Sequence, residues 1–549
     1  MTLINSARSC RRPKAFEVFY CNGYRCIHET ACPQVSDGGQ QASSVQIGRR
    51  AAAAAESRML IDGKLVAAAS GAHFDNVSPA TGRLLGTTAA AGEADMGQAI
   101  GAARRAFDDT DWATNRALRK RCLGQLQAAL EAEKEELRTE LIAEVGCPVM
   151  TTHLAQLDWP LVDGLRYPSR LIDEFDWERL LDGGGLFGDR NVRMVVKEPV
   201  GVVAAITPSN FPVEVILNKL GPALAAGNTV VLKPDPNTPW NATRLGRLIA
   251  EHTDIPAGVV NVVPTPSNEV AGLLGTDPRV DMISFTGSTA VGKHLARASA
   301  DTMKRTFLEL GGKSALIVLD DADPAKVIPG AVGVCVHAGQ ACAATTRMLV
   351  HTSMFDELVT AVTAAFAAVT VGDPALPQTL VGPLISAAQK RRVLDAYTRA
   401  RLDGAEITTG GGEVEGLPAE LAGGHYLQPT VIVGVDNSAA IAREEVFGPV
   451  LVMLPFGDDD EAVRLANDSA YGLAGAVVSA SNERALNVAR RIRTGAIGVN
   501  GGMYYGADAP FGGYKSSGWG RQCGIEGFAQ YLETKTIGSR RPRSAGLTQ

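Results

Sequence analysis

The chain is bounded first by what it does not contain. No apolar run in its 549 residues approaches the ~20 that a membrane-spanning helix needs. The opening residues hold no continuous apolar stretch of the kind a secretory signal requires. Positive charge is not in excess either: the net charge is -6, so there is no general electrostatic case for a nucleic acid or an anionic membrane as partner. Nor is there a cysteine framework. Nine cysteines, at positions 10, 21, 26, 32, 122, 147, 335, 342 and 523, form an odd and irregular set, the pattern of reduced thiols in a cytoplasmic protein rather than of a disulfide scaffold. Cys21, Cys26 and Cys32 with His28 lack the usual Cys-x2-Cys gap, and no metal site is expected.

What is present is the balance of a folded globular protein, with 45% hydrophobic and 20% charged residues. The length exceeds one ordinary core and calls for two large units plus smaller elements. Residues 1–57 read as a loose extension that is rich in arginine, holds four of the cysteines and has no sustained apolar periodicity. Met59, just before the first convincing strand, is a candidate start of translation. From there Leu60 to Val66 reads as a hairpin on Asp62-Gly63. Leu123, Leu126, Leu130, Leu137 and Leu141 form one long helical stripe that Gly146 and Pro148 stop.

After Gly201 short apolar strands alternate with helices: Val202 to Ile206, Val215 to Ala226, Thr229 to Leu232, Trp240 to His252, Val259 to Val263, and Met282 to Phe285. That alternation predicts a parallel sheet covered on both faces, with ligands at the carboxyl ends of its strands. A second alternation runs from Ala315 to Asn500, and Tyr531 to Ile537 reads as an edge strand that needs a partner. The expected class is α/β.

Between the two alternations lies the stretch from Thr306 to Arg347, with Glu309 beside Gly311-Gly312 and Cys342 among small residues. An ionised thiol attacks carbonyl carbon well, and an acyl group left on sulfur is released by water that a carboxylate activates. Gly287, Ser288 and Gly292 open a helix after a strand, so backbone N–H groups there can face a pyrophosphate. The chain lacks the Gly-x-Gly-x-x-Gly of ordinary dinucleotide folds.

Five segments, in this order, resemble the aldehyde dehydrogenase superfamily: Phe285-Thr286-Gly287-Ser288, Leu308-Glu309-Leu310-Gly311-Gly312-Lys313, Gly339-Gln340-Ala341-Cys342, Glu444-Glu445-Val446-Phe447-Gly448-Pro449 and Pro510-Phe511-Gly512-Gly513-Tyr514-Lys515. The resemblance covers roughly Leu60 to Ile537. It implies Cys342 as nucleophile, Glu309 as general base, and Asn210 as an oxyanion donor together with the Cys342 backbone N–H. It implies Lys233, Gly287, Ser288, Gly292, Glu445 and Phe447 as cofactor-binding residues.

The architecture so implied is a Rossmann-like cofactor domain from 58–180 and 200–311, a second α/β catalytic domain from 312–510, and a small β oligomerisation ribbon and C-terminal tail from 181–199 and 511–549. The implied function is NAD-dependent oxidation of a small-molecule aldehyde to a carboxylic acid through a thiohemiacetal and a thioester, in a homodimer or homotetramer. Relatives that transfer the acyl group to coenzyme A typically lack the glutamate, so Glu309 favours hydrolysis. The alternatives are such a transfer, a thiol esterase, or a catalytically silent binding protein of the same fold.

Four departures from the pattern stand out. Pro236 replaces a ribose-binding glutamate and leaves NADP open. Ser209 replaces a tryptophan before Asn210, His337 an asparagine before Gly339-Gln340, and Gln522 a glutamate used in proton exit. Phe211, Trp177 and Met503-Tyr504-Tyr505 are the expected tunnel residues.

Overall fold

Sequence alternation of this kind becomes a sheet because each β-branched run buries both its faces. In the computed structural model, which describes residues 42–181 and 191–540, Val202–Ile206 is buried at every position and forms the middle of an eight-stranded sheet. On one side follow Thr229–Lys233 and Val260–Val262, and on the other Met282–Thr286 and Arg305–Glu309, all parallel. The order reverses between Val202–Ile206 and Met282–Thr286. A crevice opens at such a switch point, outside the carboxyl ends of the strands. The register brings those ends level, with Ile206 opposite Lys233 and Thr286 opposite Glu309. The fold is α/β with a Rossmann-like parallel sheet.

The hairpin on Asp62-Gly63 forms as expected, Met59–Ile61 pairing with Lys64–Val66. Both turn residues have positive φ, 52° and 73°, which is what a two-residue turn between twisted strands demands. This hairpin closes one edge of the first sheet, and Gly518–Trp519 closes the other against Arg305–Glu309. Within 511–549, Gly518–Trp519 therefore belongs to the first sheet rather than to the ribbon or the tail.

From Glu309 the chain crosses through Leu310 to Ser314 straight into Ala315–Val318, a central strand of a second, seven-stranded sheet. Its strands Thr430–Val433, Val450–Phe456, Arg347–His351, Ala315–Val318, Gly475–Val478 and Gly498–Val499 are parallel. Cys342 precedes the start of Arg347–His351, and Glu445 and Phe447 precede the start of Val450–Phe456. The amino edge of the second sheet thus meets the carboxyl edge of the first. Separately, Leu532–Arg540 pairs along its length with Asn191–Pro199, which also pairs with Glu178–Leu181.

Two expectations fail locally. The leucine stripe is not one helix: Arg116–Ala132 ends at Glu133, and Lys134–Glu140 continues into a wider turn over Leu141–Val145 before Gly146, at φ 68°, stops it. The break serves a charge cluster, because Glu133 accepts from Arg244 and Arg247, at 2.5 Å each. The extension 1–57 is not loose at its end either. Ser44–Ala54 is a helix whose Ile47 and Ala51 pack with Ile142, Ala143 and Trp240. Asp373 receives the Ser44 N–H at 3.0 Å, and Arg244 donates to the Ala54 carbonyl at 2.9 Å. The early cysteines and His28 lie outside the described residues.

Arg244 also donates to the fully buried Glu140 at 2.7 Å and 2.9 Å. Removing one partner of such a pair leaves a buried charge alone, a cost of roughly 3–5 kcal/mol. Arg244→Met is therefore expected to lower the urea midpoint of unfolding markedly, which equilibrium denaturation checks.

Candidate active site

The helix Pro212–Ala226 starts directly after the first central strand, and the loop between them carries Asn210. Asn210 is 8% exposed. Its carbonyl accepts from Gln156 Nε2 at 2.7 Å, and its Nδ2 donates to the Gln340 carbonyl at 2.7 Å. One amide hydrogen is thereby fixed, which orients the other. Gln340 is held in turn by donating to the carbonyls of His337 and Pro383 and by accepting from the Ile385 N–H at 2.8 Å. A buried amide network of this kind is rigid because every alternative leaves a polar group unpaired.

Cys342 follows a chain segment in an unusual conformation. His337, Ala338 and Gly339 all have positive φ, 53°, 54° and 72°. Histidine and asparagine tolerate that region better than most residues, which explains how His337 takes a place where the resemblance implies asparagine. Burial pushes its pKa down to about 4, so the ring is neutral, and it packs edge-on against Phe211 with centroids 5.5 Å apart. Among the described residues the Cys342 backbone N–H makes no hydrogen bond.

Gly311 and Gly312 allow the two sheets to touch. A Cβ on Gly312 would lie 2.5 Å from the Cys342 carbonyl oxygen, and one on Gly311 would lie 2.1 Å from Glu445 Oε2. At Gly312 the contact is with backbone and no other residue fits, while at Gly311 a side chain would displace the Glu445 carboxylate. The Gly312 N–H instead donates to Glu445 Oε1 at 3.0 Å.

Glu309, 2% exposed, sits at the end of its strand, and its Oε1 has no hydrogen-bond partner among the described residues. Burial raises its pKa above the carboxylate range; the Lys219 ammonium, the Cys342 thiol and the Thr286 hydroxyl partly offset this. Cys342 is shifted more. Burial raises its thiol well above the ordinary value, and the negative charges of Glu309, Glu445 and Glu214 add to the rise. Thiol and carboxylate are thus close enough to interact, and the protonated thiol is favoured. Behind Glu309, burial takes Lys219 down to about 7. Its Nζ donates to Ser284 Oγ at 3.4 Å, and Ser284 shares a hydrogen bond with the Tyr531 hydroxyl.

Cys342, Glu309 and Asn210 all open into one cavity of about 1280 Å³. Lys233, Gly287, Ser288, Glu445 and Phe447 line it as well. Gly292 does not. It lies a turn down the helix Thr289–Ala300, where a Cβ would meet Leu310 at 2.4 Å, so it lets that helix approach the strand connection. Ser288 caps the helix by accepting from the Val291 N–H at 3.3 Å. The first turn therefore faces the cavity with free N–H groups and its positive dipole end, the donor set a pyrophosphate fits.

Lys233 has its pKa lowered by burial, with Asp235 opposing. Phe447 is held at φ 56°, its carbonyl accepting from Gln389 Nε2 at 2.8 Å.

The tunnel end differs from expectation in one residue. Trp177 is buried elsewhere, edge-on to Phe175 and Phe528, and does not line the cavity; the tryptophan that does is Trp159. Ser209, Phe211, Met503, Tyr504, Tyr505 and Gln522 are there. Sequence reasoning missed Gln156, Thr286, Glu214 and Lys219. The last two were detectable, as the only acidic and only basic residues of an otherwise apolar helix.

Because the charge of Glu309 helps keep the Cys342 proton in place, Glu309→Gln should shift the pH profile of Cys342 alkylation by iodoacetamide to lower pH. The wild-type rate should still be rising above pH ~8.5, the ordinary thiol value. An unshifted profile in the variant would show that the two side chains do not interact.

A family model for the aldehyde dehydrogenase family matches residues 65–537. A 3-succinoylsemialdehyde-pyridine dehydrogenase from a Pseudomonas species is 40% identical over 87% of this chain and 97% of its own. An aminoacetaldehyde dehydrogenase from Pseudomonas aeruginosa is 38% identical over 87% and 95%. Among solved structures, betaine aldehyde dehydrogenase from Staphylococcus aureus in complex with NAD+ superposes with a TM-score of 0.87 at 33% identity, covering 92% of this chain and 99% of that one.

Proposed function

The chain belongs to the aldehyde dehydrogenase family, and from that membership we propose that it oxidises an aldehyde to a carboxylic acid by covalent catalysis at Cys342. The observation that carries the reading is the convergence of Cys342, Glu309 and Asn210 on one cavity that also holds a dinucleotide-binding helix terminus. The enzyme is NAD-dependent. When bound, NAD supplies the hydride acceptor that thiol and carboxylate chemistry lacks.

Lys233, Gly287, Ser288, Glu445 and Phe447 are the residues that would hold it, with Gly292 admitting the helix. Asp235 also lines the cavity, and a carboxylate beside Lys233 disfavours the extra phosphate of NADP.

In the first half-reaction Glu309 takes the proton from Cys342 and the sulfur adds to the aldehyde carbon. The developing oxyanion is met by the second Nδ2 hydrogen of Asn210 and by the Cys342 N–H. Preorganised donors at that point commonly contribute ~3 kcal/mol to a transition state. Loss of hydride from the thiohemiacetal leaves a thioester on Cys342. Between the half-reactions Glu309 releases that proton to solvent; in the second it accepts a proton from water as the hydroxide adds to the thioester, and when the C–S bond breaks it returns the proton to the sulfur and the carboxylic acid departs. The raised pKa of Glu309 makes it a stronger base for both proton transfers.

A carboxylate poised at the thioester favours water over coenzyme A as acceptor. The unpaired outer edge of Leu532–Arg540 supports assembly with a second copy. Among the described residues no helix is long and apolar enough to cross a membrane.

Cys342→Ala should abolish NADH formation from any aldehyde, and retention of the wild-type rate would remove Cys342 from its role. Glu309→Gln should let a covalent acyl-enzyme build up, visible in intact mass after mixing with aldehyde and NAD. Deacylation at the wild-type rate would exclude Glu309 as base, and a product of acyl-coenzyme A instead of free acid would favour the transferase alternative.

A further inference from the structure

Glu214 lies four residues beyond Asn210, on the face of Pro212–Ala226 that also turns Val215 to the cavity. The family chemistry does not use it. Its side chain is half-buried, open to the cavity at the end where Phe211, Tyr504 and Tyr505 lie.

The Tyr505 hydroxyl accepts from Asn218 Nδ2 at 2.9 Å, so its own hydrogen is available to Glu214, and the two interact. No cation does so: among the described residues Glu214 makes no ion pair, and Lys219 answers Glu309 rather than Glu214. Burial raises the Glu214 pKa to about 7, with the Tyr505 hydrogen bond opposing the rise and the Glu309 charge adding to it. A carboxylate beside aromatic rings in such a cavity is costly to cover with a purely apolar substrate, because its lost hydration is not replaced.

The remaining walls point the same way. The basic side chains that line the cavity are Lys233, His294 and Arg392. Lys233 ends a strand of the first sheet, His294 sits on the Thr289–Ala300 helix, and Arg392 donates to the Glu445 carbonyl at 2.8 Å. All three therefore belong to the cofactor half. The aldehyde half offers a carboxylate and aromatic faces, which together suit an ammonium group through charge pairing and cation–π contact. It offers no base to an aldehyde that carries a carboxylate.

We propose that Glu214 is a specificity-determining residue that selects aldehydes bearing a positively charged amino group a few carbons from the carbonyl. The proposal rests on the reading of this cavity as an aldehyde site. In it the ammonium replaces the missing counter-charge, while Tyr505 keeps the carboxylate aimed along the tunnel.

The test compares 3-aminopropanal with butanal, its uncharged isostere, in wild type and Glu214→Gln. The ratio of kcat/KM for the two should favour 3-aminopropanal in wild type and fall by about tenfold or more in the variant, chiefly through KM. A wild-type preference for butanal, or a ratio that moves less than about twofold, would overturn the proposal.

Binding of unreactive n-butylammonium against butan-1-ol, measured by calorimetry, reads the same preference without catalysis. If neither aldehyde is oxidised, the substrate lies outside this pair and the calorimetry alone decides the role of Glu214. Preferential binding of n-butylammonium that is lost in Glu214→Gln supports it, and equal binding of the two probes to wild type sinks it. The wild-type comparison holds even if the variant does not fold.

Discussion

The site depends on the close approach of two backbones at Gly311-Gly312. The chain leaves the first sheet at Glu309 and enters the second at Ala315, and between them it passes against the Cys342 carbonyl on one side and the Glu445 carboxylate on the other. A side chain at Gly312 would collide with the Cys342 backbone, and one at Gly311 would displace the Glu445 carboxylate. The contact of the two sheets fixes Glu309 and Cys342 on opposite sides of one seam. It also explains the odd polarity of the arrangement, in which the carboxyl edge of one parallel sheet faces the amino edge of another. The first edge contributes Glu309, Asn210 and the helix terminus, and the second contributes Cys342, Glu445 and Phe447.

Electrostatics in the seam favour the neutral form of the Cys342 thiol. Glu309, Glu445 and Glu214 lie near this half-buried side chain, and each opposes its ionisation. A thiolate would be exposed to adventitious oxidation and alkylation, so a thiol protonated until substrate and cofactor arrive is protected. The Oε1 of Glu309 has no hydrogen-bond partner among the described residues.

Much of this was legible before the fold was known. The hairpin on Asp62-Gly63, the helix Trp240–His252 and the strands around Ile206, Lys233 and Phe285 follow from turn chemistry and apolar period. Cys342, Glu309, Asn210 and the Glu445 to Phe447 segment were picked out by residue pattern. The failures share a cause. Trp177 and Trp159 look alike in sequence, and only packing decides which one reaches the cavity. Glu133 breaks a helix because distant Arg244 and Arg247 draw its carboxylate. Gly518–Trp519 is too short to register as a strand until Arg305–Glu309 lies beside it.

Sequence by itself therefore determined the class of fold and the family to which the chain belongs. Those depend on residue type and on local periodicity, which the chain carries in order. Tertiary structure alone decided that Gln156 and Gln340 anchor Asn210, that Gly292 serves packing while Gly287 and Ser288 line the cavity, and that Glu214 stands without a counter-charge in the aldehyde half. Those depend on groups far apart in the chain meeting across a seam, a distance that no local pattern records.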